Sequence, residues 1–155
     1  MTTEEFDKVA TEIRGRRRVG KVWIKRVALK RRTTETAQAR ADALVTSLDL
    51  TPITTWTEMS RSKAEQGATS ILHRDLAYDA EIMPVKDASR LAKGFLGFFT
   101  RENGDDVKYF TNGTLISPAR ENGRGWSGIT GATFDCGIIV VAENSVGILW
   151  VADED

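Results

Sequence analysis

The stretch Gly137-Ile138-Ile139-Val140-Val141-Ala142, Glu143-Asn144-Ser145, Val146-Gly147-Ile148-Leu149-Trp150-Val151 decides the fold. Two apolar runs of strand length flank a short polar turn, the signature of a β-hairpin. Both arms are apolar on both faces, whereas a half-exposed strand would alternate with polar residues. A strand that offers neither face to water belongs inside a sheet covered on each side. The hairpin is therefore predicted to be central and to form the stability core, with Ile138, Val140, Ile148 and Trp150 buried.

Working upstream, the chain is strand-like as far as Gly94. Phe95-Leu96-Gly97-Phe98-Phe99-Thr100 reads as a strand, Asn103-Gly104 as a hairpin turn, and Val107 to Ile116 as the returning arm. Asn112-Gly113-Thr114 reads as a turn. Gly123 to Gly137 is a glycine-rich loop.

The N-terminal part has helical periods. Thr2-Thr3-Glu4-Glu5 is a capping box, followed by Phe6, Val9, Ala10 and Ile13 at helical spacing, so a helix is predicted over about 3–14, ended by Gly15. Val19 to Leu29 reads as a strand with Val22 and Ile24 on one face and Trp23, Val27 and Leu29 on the other. Thr33 or Thr34 caps a helix over about 35–49, with Ala37, Ala41, Leu44, Val45 and Leu48 as its stripe and Pro52 beyond its end. Ile53 to Met59 reads as extended. Ser62-Lys63-Ala64-Glu65 is a second capping box, opening a helix to about Met83 that Pro84 stops. Val85 to Lys93 adds a short helix.

The fold class is thus α+β, with N-terminal helices packed on a mainly antiparallel C-terminal β-sheet. A chain of 155 residues fits a single domain, helix-rich over 1–93 and β-rich over 94–155. One cysteine, Cys136, excludes a disulfide scaffold, and one histidine, His73, excludes a Cys/His metal cluster. No apolar window is long enough to span a membrane. The polar start Met1-Thr2-Thr3-Glu4-Glu5 is no export signal, so a reducing cytoplasmic setting is expected.

A net charge of zero conceals an asymmetry. Residues 1–50 hold 12 Lys/Arg against 7 Asp/Glu, a net +5, and residues 51–155 hold 10 against 15, a net −5. Between Arg14 and Arg32 lie ten basic residues and no acidic one. A block of this kind marks an interaction surface or an intramolecular partner for the acidic half.

Motifs for catalysis lack their context. His73-Arg74-Asp75-Leu76 matches the start of a kinase catalytic loop, but Ala80 stands where the metal-holding Asn belongs. It reads instead as a polar helix face with Asp75 and Asp79 one turn apart. Gly123-Arg124-Gly125-Trp126-Ser127-Gly128 matches the dinucleotide fingerprint, but a strand, not a helix, follows it. Cys136 and His73 are the components of a nucleophile–base pair that nothing in the sequence brings together. Asp105, Asp106, Asp135 and Glu143 lie near turns, where carboxylates are usually solvated.

No catalytic residue, metal ligand or cofactor is therefore assigned. The leading expectation is a small non-enzymatic protein–protein interaction protein of the inhibitor, immunity or phage accessory and assembly kind. Arg120, Arg124 and Trp126 in the glycine-rich loop are expected as its anchors, by the composition of binding hot spots, the other reading being that Trp126 folds back onto the sheet edge as a lid. The alternative is a nucleic-acid-binding module using Arg16, Arg17, Arg18, Lys21, Lys25, Arg26, Lys30, Arg31 and Arg32, with Trp23 as an interleaved aromatic. A third reading is a small hydrolase or transferase working through carboxylates. A partner protein, nucleic acid or a second copy of the chain all remain open as partners; a membrane does not.

Overall fold

The protein is described by a computed structural model covering residues 2–28, 35–53, 56–100, 107–113 and 128–154. Among these residues, four helices and five strands follow in the order α1 (Thr3–Arg16), β1 (Lys21–Ala28), α2 (Ala37–Ser47), β2 (Thr57–Met59), α3 (Arg61–His73), α4 (Val85–Thr100), β3 (Lys108–Thr111), β4 (Phe134–Val141) and β5 (Ser145–Asp153). The strands form one antiparallel sheet ordered β1-β5-β4-β3-β2. The architecture is α+β, and β1 and β2 bring the helix-rich half into the sheet as its two edges. No helix among the described residues is long and apolar enough to cross a membrane.

The β4–β5 hairpin is central, in register from Phe134↔Asp153 to Val141↔Val146. Alternation sends its residues to two cores. Cys136, Ile138, Val140, Leu149 and Val151 meet α1, α3 and α4, while Ile139, Val141, Val146, Ile148 and Trp150 meet α2, Trp56, Phe110 and Ile129. β1 divides in the same way, with Val22 and Ile24 on the three-helix side and Trp23 and Val27 on the α2 side. Gly147 lets the Phe99 ring rest on the backbone of β5, since a Cβ there would collide with it.

The capping box at the start of α1 is formed. The Thr2 hydroxyl accepts from the Glu5 amide at 3.1 Å, and the Thr2 amide donates to the Glu5 carboxylate at 3.2 Å. Elsewhere the caps shift. Thr36 rather than Thr33 or Thr34 caps α2, and Ser60 rather than Ser62 caps α3, each accepting from the amide three residues on.

Two larger differences concern the middle of the chain. First, α3 stops at His73, ten residues short of the expected end. The segment that follows folds back on itself, with Asp75 donating to the Ala80 carbonyl, Ile82 donating to that of His73, and Asp79 in the left-handed region at φ 56°. Asp75 and Asp79 therefore sit in a loop rather than on a helix face. Second, Phe95 to Thr100 is helix, the second half of α4. Pro84 opens this helix by lending its carbonyl to Asp87 and Ala88. Read from Ala88 onward, Ala88, Leu91, Ala92, Phe95, Leu96 and Phe99 recur at three and four residues and are all buried. Taken alone, the aromatic run hides that period. Its rings pack against α1, with Phe6 and Phe98 edge to face at 5.2 Å.

Candidate functional site: the β1 edge

The described part of the basic segment, residues 14–28, is not one surface. The structure divides it between the end of α1 and the edge strand β1. Arg17 is buried and holds Asp153 in a two-pronged ion pair, Nη1 to Oδ1 at 3.0 Å and Nη2 to Oδ2 at 2.8 Å. Its Nε donates to the Ile71 carbonyl at 2.7 Å and Nη1 also donates to that of Val19 at 2.7 Å. Asp153 accepts in addition from the Leu76 amide at 2.7 Å. With its guanidinium satisfied inside the protein, Arg17 offers nothing to a phosphate. Here a cation of the basic block does pair with the acidic end of the chain.

Arg16 is half-buried and also paired, donating to Asp87 at 2.9 Å and Glu12 at 3.5 Å. Glu12 also accepts from Arg90, and these two arginines, Arg90 foremost, hold its carboxyl below the ordinary range. Arg18 is exposed and donates to the Gly15 carbonyl at 3.1 Å. Arg14 reaches across to the Ile24 carbonyl of β1 at 2.8 Å. Lys30, Arg31 and Arg32 lie outside the described residues, as do Arg120, Arg124 and Trp126 and the acidic pair Asp105 and Asp106.

That leaves β1. It pairs with β5 on one side, and among the described residues no strand lies on its other side. Lys21 and Lys25 are exposed, and among the described residues neither has a carboxylate partner. Strand alternation sets them on the same face as Trp23, two residues to either side, about 7 Å along the strand. Arg26 is half-buried and points the other way.

Trp23 lines a cleft of about 520 Å³ at the start of β1, with Lys21, Gly20, Gly131, Ala132 and Glu154 among its walls. The opposite wall is positioned by Asp135. This buried carboxylate accepts from the amides of Ile129 and Thr130 at 3.0 Å, the Thr130 hydroxyl at 2.7 Å and the Trp150 indole at 3.1 Å. It pins residues 128–133, which lead by bends directly into β4, so no helix follows Gly128. Glu154 accepts from the Thr133 hydroxyl and amide on the rim. No motif could have joined Trp23 to Gly131 and Glu154. They meet only because β1 and β4 flank β5.

Three further groups that the sequence singles out, His73, Cys136 and Asp75, are committed internally. His73 Nδ1 donates to the Met83 carbonyl at 2.7 Å. Cys136 is fully buried in the three-helix core, and its thiol is pushed well up, first by burial and then by the neighbouring Asp135 carboxylate. Asp75 accepts from the Tyr78 amide. No protein-family model, curated protein or solved structure matches this chain.

Proposed function

We propose that the chain is a non-enzymatic protein–protein interaction protein, of the inhibitor, immunity or accessory kind, and that it docks its partner along β1. One observation carries the reading: Lys21 and Lys25 stand exposed, without a carboxylate partner among the described residues, on an edge strand beside the Trp23 cleft. Cations that serve the fold are paired, as Arg16 and Arg17 are. Unpaired ones around a half-buried indole have the composition of a docking surface, with a desolvated aromatic at the centre and a polar rim. The internal commitments of His73, Cys136 and Asp135 support the non-enzymatic half of the reading.

A photo-crosslinking residue at position 25, with position 58 on the opposite edge strand as control, tests it in the cell of origin. Discrete adducts from 25 and none from 58 are expected. Equal yields, or none, would reject the β1 edge as the docking surface.

The second reading is single-stranded nucleic acid stacked on Trp23 with Lys21 and Lys25 on flanking phosphates, favoured by that spacing. It requires oligonucleotide affinity that collapses with salt. Salt-insensitive binding, or none at low salt, removes it.

A further inference from the structure

The β1 geometry points to a more specific partner, and the inference rests on the docking reading above. We propose that β1 accepts an extended segment of a partner protein as an added strand, and that this segment carries an acidic residue, an aromatic residue and a second acidic residue at alternate positions. In an added strand, the side chains directly opposite Lys21, Trp23 and Lys25 lie about 4.5–5.5 Å away on the same face. Opposite charges there are favourable, and an aromatic ring at the middle position packs against the Trp23 indole from the side away from the cleft. The pattern is symmetric, so it holds for either strand direction. Main-chain hydrogen bonds supply affinity and the alternate side chains supply specificity.

Arg14 marks where the strand would seat. Its guanidinium donates to the Ile24 carbonyl at 2.8 Å from an exposed side chain, so an incoming amide can displace it.

Two other occupants fit less well. A second copy paired antiparallel about Trp23 would set Lys21 against Lys25 twice, and directly opposed like charges are destabilising. A nucleic-acid strand would lay its phosphates past Glu154 on the rim and Asp7 in the hollow between α1 and β1. A peptide with only two acidic positions need not.

Selection of a random peptide library on the purified full chain tests the proposal. The expected consensus is acidic-x-aromatic-x-acidic. The best selected peptide should perturb the backbone amides of 21–28 in a nuclear magnetic resonance titration. It should lose about tenfold in affinity to the K21E/K25E variant, whose melting temperature stays that of the parent. A consensus without acidic residues, bound at β1, would overturn the proposal while leaving β1 as the docking surface. Peptides that perturb α2 or β2 instead would overturn both. Oligothymidylate binding that depends on Lys21 and Lys25, with no peptide selected, would replace it with the nucleic-acid reading. Failure of both probes would also overturn it.

Discussion

The two faces of the sheet are fed by the same strands and closed in different ways. On one, α1, α3 and α4 cover Cys136, Ile138, Val140, Leu149 and Val151, and the buried Arg17–Asp153 pair ties the end of α1 to β5. On the other, among the described residues, the only helix is the 11-residue α2, joined by Trp56 and Ile129 over Ile139, Ile148 and Trp150. The three-helix face uses its charges for the fold. The α2 face leaves the lysines of β1 in water and a cleft beside Trp23. Among the described residues the two faces thus differ in how charge is used: paired in the fold beneath three helices, and in water beside the single helix.

The comparison can be broken first at the ion pair. Asp153→Ala leaves Arg17 buried and unpaired and also strips the Leu76 amide of its acceptor, so a loss of about 3–5 kcal/mol is expected in urea melts. A loss under about 1 kcal/mol would show that water reaches this pair and that the three-helix face is not sealed.

Leu149 and Ile148 are neighbours on β5, both fully buried, one facing each core. Leu149→Ala and Ile148→Ala should each cost about 2–5 kcal/mol, with Leu149→Ala the larger because three packed helices collapse less readily into a void. The reverse order in paired denaturant melts would mean that α2 is the more rigid cover.

Cys136 gives a pH signature for the three-helix core. Its thiol is raised in the folded state, so folding keeps a proton that the unfolded chain releases. The stabilisation is complete below the unfolded thiol value of about 8.5 and declines above it, by up to about 1.4 kcal/mol per pH unit. Melts from pH 7 to 10 should show this slope in the parent and lose that component in Cys136→Ala. Identical slopes would place the thiol in contact with water.

The smallest expected effect lies on the α2 face. The Trp56 indole donates to Asp42 of α2 at 2.6 Å, tying the entry of β2 to that helix. Trp56→Phe should cost about 1 kcal/mol and spare the other core. A loss above about 3 kcal/mol would mean that this one tether holds the whole α2 face.

What was legible in the sequence lay in short windows. The doubly apolar arms at 137–142 and 146–151, the two-faced strand around Trp23 and the capping box at Thr2 and Glu5 each carry their signal within a few residues. Periodicity and capping are local properties of the backbone, so these readings agree with the structure. Phe95 to Thr100 misled because six aromatic-rich residues satisfy either period, and only the longer stripe from Ala88 distinguishes them. The end of α3 at His73 depends on a fold-back closed by Ala80 and Ile82, which no helical pattern reports. Tertiary structure alone decided the fate of the charges. Arg16, Arg17 and Arg18 are consecutive and chemically identical, yet one bridges Asp87, one is buried on Asp153 and one stays in water. Partners 71 and 136 residues away make that choice, because the energy of a cation depends on the carboxylates and the dielectric that the fold sets around it.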